Sequence, residues 1–108
     1  MSVWRQLLVS GALVGLAAAV PVMASEALAK KGACIACHLP KQKLVGPSWH
    51  DVAVKYKGQA EAPRLLAERV RKGGGKNVWG PLPMPPAGRD KLSDAELAAV
   101  IAWVLKTP

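Results

Sequence analysis

The clearest periodicity lies near the C-terminus, where Leu97, Val100, Ile101 and Val104 recur at the i, i+3, i+4, i+7 spacing of a helix with one buried stripe. Trp103 flanks that stripe. Ser93 followed three residues later by Glu96 predicts a capping box, and Leu92 and Leu97 can close a hydrophobic staple across it. Upstream, Trp49, Val52, Ala53 and Tyr56 predict a helix over Ser48–Tyr56. Pro47 is expected as its favourable first position, and Gly58 closes it. A third helix is expected from Pro63 through Leu65, Leu66, Glu68, Arg69 and Val70. The run Gly73-Gly74-Gly75 ends it, because glycine continues a helix only at an entropic cost. A first helix is expected over Ser25–Ala33, with Glu26 in its first turn and Lys30 and Lys31 near its end, as the helix dipole favours. No stretch alternates with the period of a strand. The expected class is all-α, with about four helices.

The N-terminal stretch follows a different logic. Arg5, a run of apolar and small residues from Leu7 to Val20, and Val22-Met23-Ala24 as a small-residue cleavage site have the anatomy of a secretory signal peptide. Residues 1–24 are read as that leader and 25–108 as the working domain, exported to the periplasm. An uncleaved membrane anchor is the alternative, but the apolar run is short of the roughly 20 residues a span needs. The 84 residues left after processing bury a limited fraction of their surface, so a domain of this size gains from an internal staple.

The staple is legible at Cys34-Ile35-Ala36-Cys37-His38. Two thiols three residues apart, followed at once by an imidazole, form the attachment motif of a covalent c-type haem. Each thiol adds to one vinyl group, and His38 offers a nitrogen to the iron. These are the only cysteines, so a structural disulfide would compete with attachment. The opposite axial position calls for a second ligand, and thioether sulfur raises the potential there. Beyond the leader the chain has one methionine, Met84, framed by Pro81, Pro83, Pro85 and Pro86, which hold the backbone extended. His50 is the rival ligand, although its place in a helix suggests a solvent-facing side chain. Other uses of the motif are a haem enzyme or gas sensor with an open sixth position, a thiol–disulfide oxidoreductase and a zinc site. The oxidoreductase lacks its βαβ pattern. The zinc site would need adjacent Cys37 and His38 in one tetrahedron.

Charge changes the picture less. The chain has 15 Lys+Arg against 7 Asp+Glu, and the excess survives removal of the leader. Export and basic residues not interleaved with aromatics argue against nucleic acid, leaving an acidic protein partner as the expected one.

Taken together, Cys34 to His38, Leu44-Val45-Gly46-Pro47, Asp51-Val52-Ala53, Arg69 to Gly73, Trp79-Gly80-Pro81-Leu82-Pro83-Met84-Pro85-Pro86 and Trp103-Val104-Leu105 resemble the small periplasmic class I cytochromes c, over essentially all of residues 25–108. These are the short bacterial electron donors of denitrification and respiration. The resemblance implies a cytochrome c fold wrapped around one covalent haem c with its iron, axial ligands His38 and Met84, and one-electron transfer rather than enzymatic chemistry. It implies that a carbonyl near Pro47 accepts a hydrogen bond from His38, and that Trp79 and Arg69 meet the haem propionates, with Arg71 competing for the arginine role. Partners would be an upstream donor and a terminal reductase or oxidase with an acidic docking face. They would meet an apolar contact of the Gly46-Pro47 and Pro81 loops ringed by Lys41, Lys43 and Lys76, with no membrane span after processing. Two positions depart from the pattern. Ala33 stands directly before Cys34 where relatives often carry glycine, and Trp49 replaces a smaller aromatic.

Overall fold

The capping box at Ser93 and Glu96 forms: Ser93 Oγ accepts the Glu96 amide at 3.1 Å, and Glu96 Oε1 accepts the Ser93 amide at 3.0 Å. It opens the last of four α-helices in the computed structural model, which describes residues 22–108. These are α1 (Val22–Lys31), α2 (Trp49–Lys55), α3 (Ala62–Lys72) and α4 (Asp94–Leu105), with one 3₁₀ turn at Cys34–Ala36. The described residues contain no strand, only isolated bridges between His38 and Lys43 and between Gly74 and Met84. The all-α reading therefore holds. Residues 1–21 of the expected leader lie outside the described residues.

Helix α4 is the hub, and α1, α2 and α3 each pack on it. Its stripe, Leu97, Val100, Ile101 and Val104, is buried together with Ala29, Trp49, Val52 and Leu92. Trp49 packs edge-to-face on Trp103 with ring centroids 4.7 Å apart. Such aromatic pairs add about 0.5–1.5 kcal/mol beyond the area they bury. At the other end of α4, Lys31 from α1 donates to both Glu96 oxygens, at 3.0 and 2.8 Å. That bond, aided by the Ser93 amide, holds the Glu96 carboxyl down to about 2, so the capping box keeps its charge through mildly acid pH.

Three expectations are corrected. Helix α1 runs from Val22 to Lys31 rather than from Ser25 to Ala33, which moves Glu26 out of the first turn. Its last i→i−4 bond runs from the Gly32 amide to Leu28 O at 2.9 Å; the Ala33 amide then tightens onto Lys30 O at 3.0 Å, and Ala33 turns left-handed, at φ 60°, which ends the helix. Pro47 is not the first helical residue. Ser48 is the cap, its hydroxyl accepting from the Asp51 amide at 3.0 Å, so α2 starts at Trp49 and Pro47 lies before it. His50 is half-buried rather than solvent-facing. It lines a hollow between α2, residues 57–63 and the C-terminus, and its Nδ1 is out of water contact with no partner among the described residues.

Ala33 yields a prediction. A non-glycine residue in the left-handed region costs about 1–2 kcal/mol, and glycine returns part of the gain through its unfolded-state entropy. Ala33→Gly is therefore expected to stabilise the protein by about 0.5–1 kcal/mol, read as a higher urea midpoint at unchanged slope. A lower midpoint would show that Ala33 is unstrained.

Candidate functional site

Between α2, α3, α4 and the two proline-containing loops lies a cavity of about 620 Å³, the size of a cofactor pocket. Its back wall is the stripe of α4: Leu97, Val100, Ile101 and Val104 face it together with Val52 and Val70. The positions that the 3.6-residue period marks as core thus also form the lining of a hollow.

One rim carries the cysteine motif. Ala33 and the 3₁₀ turn bring Cys34 and Cys37 to the cavity, the Cys37 and His38 amides both closing onto Cys34 O at 3.1 and 3.0 Å. The two cysteines form no disulfide, and burial pushes the Cys34 thiol up from its ordinary value. The imidazole of His38 projects into the cavity with Nδ1 2.8 Å from the Pro47 carbonyl oxygen. Donation there sets the tautomer and leaves Nε2 with its lone pair available. Gly46 makes the arrangement possible. A Cβ on it would stand 2.6 Å from His38 Cε1, so the backbone lies against the ring where no side chain fits. The loop between is tied to α2, whose first two amides, of Trp49 and His50, donate to Leu39 O and Pro40 O at 3.0 Å each. The Gly46 amide donates to Cys37 O at 2.8 Å.

Met84 stands in the lining as well, its backbone paired with Gly74 in both directions at 2.8 Å. Trp79 and Arg69 also line the cavity. Arg71 does not. It points to the opposite side of α3, donating to Leu92 O at 2.8 Å, Asp94 Oδ1 at 2.9 Å and Ala87 O at 3.3 Å. Of the two arginines, only Arg69 faces the hollow. Cys34, Cys37, His38, Pro47, Arg69, Trp79 and Met84 line this one cavity, whereas the rival candidates Arg71 and His50 do not.

Sequence reasoning did not find Lys55, whose ammonium sits 4.8 Å from the centroid of the Trp79 ring, within cation–π range. The two are far apart in sequence, and no spacing rule joins them. Nor did it single out Tyr56 and Leu66 as part of the lining. Among the described residues no Asp or Glu lines the cavity, while Lys43 and Arg69 do, so its charged groups are cationic.

Apolar walls, two unpaired thiols beside an imidazole with one nitrogen committed, and basic groups at the margin suit a flat apolar macrocycle that carries peripheral carboxylates. Residues 22–108 match the family model for cytochrome c.

The chain belongs to the cytochrome c family. Its cofactor is accordingly one covalent c-type haem with its iron, and its work is electron transport. Among curated cytochromes c, it is 54% identical to cytochrome c2 of Rubrivivax gelatinosus over 75% of this chain and 94% of that one. It is 48% identical to cytochrome c-551 of Pseudomonas aeruginosa over 74% and 73% of the two chains. The crystal structure of Nitrosomonas europaea cytochrome c552 superposes with a TM-score of 0.69 at 41% identity, covering 77% of this chain and 99% of that one. These relatives are small bacterial cytochromes c of class I, in keeping with the resemblance seen in the sequence. No helix of the described residues of this cytochrome c is long and apolar enough to cross a membrane.

Proposed function

We propose that this cytochrome c is a periplasmic one-electron shuttle that binds its haem through Cys34 and Cys37 and holds the iron between His38 and Met84. The observation that carries the reading is His38 Nδ1 at 2.8 Å from the Pro47 carbonyl, with Met84 lining the same cavity. The haem iron supplies a centre that accepts and returns one electron. The Pro47 carbonyl, accepting the His38 proton, fixes the ring and increases the donor strength of Nε2. Met84 supplies a soft sulfur. With His38 and Met84 both holding the iron, a small molecule would find no open site, which suits a carrier rather than an enzyme. The apolar lining would keep water from the bound haem, the exclusion and positioning that a protein supplies to its cofactor. Arg69 and the Trp79 indole N–H are assigned to the haem propionates. Both line the cavity, and the carboxylates would otherwise be buried without donors.

Residues 1–24 are assigned to a cleaved leader. Cleavage after Ala24 would leave α1 beginning at Ser25, which is buried, and would keep Ala29 in the core. Around the cavity mouth, Leu44, Val45, Val78 and Leu82 are exposed, and Lys41, Lys43 and Lys76 are exposed near them in sequence. An apolar contact beside lysines suits acidic redox partners, a donor and a terminal reductase or oxidase of respiration or denitrification. Their encounter should slow as salt rises.

The test is the spin state and ligand access of the purified native protein. The expected result is haem that stays on the chain after denaturation, a low-spin ferric spectrum and no uptake of carbon monoxide by the ferrous form. A high-spin ferric spectrum with ready carbon monoxide binding would instead identify an open-site haem enzyme or gas sensor.

A further inference from the structure

The glycine run after α3 is more than a helix stop. Gly73 is buried at φ 69°, and Gly74 follows at φ 97°, both in the region that L side chains rarely adopt. A Cβ on Gly73 would stand 2.7 Å from Met84 O and 2.8 Å from Pro86 N, both backbone atoms that cannot swing aside. Gly74 exchanges two hydrogen bonds with Met84, N–H to O and O to N–H, each 2.8 Å. Among the described residues these two backbone bonds are what tie Met84 down, in a loop whose prolines supply few donors of their own. On the other side of the run lies Arg69. Its carbonyl accepts the Gly73 amide at 2.7 Å, its Nη1 donates to Gly73 O at 3.3 Å, and a Cβ on Gly74 would stand 3.1 Å from that nitrogen.

We propose that Gly73 and Gly74 are positioning residues for Met84, a strap with no side chains that fixes how far the methionine reaches into the cavity and ties that reach to the Arg69 guanidinium. The bare backbone is needed on both faces at once. One face must approach the Met84 loop closely enough for paired hydrogen bonds, and the other must lie under the guanidinium. A methyl group on either glycine widens one of these contacts, and the strap passes the displacement to the other. The proposal rests on Met84 being the axial ligand, and it adds that the hold of that ligand is set from α3 rather than by the proline frame alone.

The experiment uses the full ferric holoprotein and titrates imidazole, which competes with the thioether for the sixth position, while following the sulfur-to-iron absorption band. Because apparent affinity scales with the fraction of protein whose sixth site is open, Gly73→Ala is expected to bind imidazole about tenfold or more tightly than the native protein. Gly74→Ala is expected to show a smaller gain, since its Cβ meets only the far end of a flexible side chain. Gly58→Ala is the control. Its φ is 76° but none of the described residues lies within 4 Å of the Cβ it would gain, so it carries the same backbone strain away from the cavity and should leave imidazole affinity unchanged. Native affinity in Gly73→Ala, or an equal gain in Gly58→Ala, overturns the strap. Should Gly73→Ala fail to fold, Gly74→Ala decides in the same way. Met84→Ala separates the two levels: a band that persists there refutes the ligand assignment itself, whereas a band lost there but indifferent to the glycines refutes only the strap.

Discussion

Met84→Ala is expected to abolish the sulfur-to-iron band, open the sixth position to carbon monoxide and lower the reduction potential. The potential should fall by more than about 0.1 V, a fraction of the roughly 0.8 V range that axial ligands command. The direction follows from softness. Thioether sulfur favours ferrous iron, and water or a nitrogen in its place favours ferric. The fold should survive, because the bonds joining the Met84 loop to α3 are made by backbone atoms, between Gly74 and Met84 and from the Ala87 amide to Val70 O at 2.8 Å. Absorption spectroscopy and a redox titration of the variant check this. An unchanged band and potential would mean that the sixth ligand is another residue. His50 would not be an easy substitute, since it lines the hollow on the other side of α2.

Arg71→Met is expected to act on stability and leave the spectrum alone. The Arg71 side chain is only 16% exposed and spans the loop that joins the Met84 segment to α4, reaching Ala87 O, Leu92 O and Asp94 Oδ1. Leu92 is itself 1% exposed, so removing the guanidinium leaves its carbonyl dry and without that donor. Losing charge-assisted bonds to the buried Leu92 carbonyl and the half-buried Ala87 carbonyl costs about 2–4 kcal/mol in total. The Asp94 contact supplies little of this, because that carboxylate is 67% exposed and screened by water. For a domain of this size the loss corresponds to a fall in Tm of roughly 10–25 °C. Arg71→Lys should recover only part, since an ammonium cannot reproduce the planar fork that reaches several acceptors. Thermal unfolding followed by circular dichroism measures it. A loss below about 0.5 kcal/mol, the range of ordinary surface changes, would show that the network contributes nothing.

These two variants also show where the sequence was silent. Arg69 and Arg71 are two residues apart and chemically identical, so composition and spacing assign neither to the cavity. A helix turns about 100° per residue, which sends residues two apart to nearly opposite sides. Which side faces the hollow depends on how α3 lies against α4. Pro47 shows the reverse case. The expectation of a carbonyl near it for His38 matches the 2.8 Å contact, yet its expected place inside α2 was wrong. Ser48 took the cap, because a hydroxyl that accepts a helix amide outcompetes a proline that has no donor or acceptor side chain.

What the sequence determined by itself is local chemistry and period. The thiol and imidazole spacing of Cys34 to His38, the buried stripe and capping box of α4, the glycine stop after α3 and the lone methionine among prolines follow from neighbouring residues along one segment. What only the tertiary structure decided is long-range: Lys55 over Trp79, Arg69 rather than Arg71 at the cavity, the half-buried His50, and Gly74 paired with Met84. Each joins positions whose closeness is set by helix packing angles and loop closure. No residue pattern encodes those directly, because many sequences share the same periods and only the assembled core selects one mutual orientation.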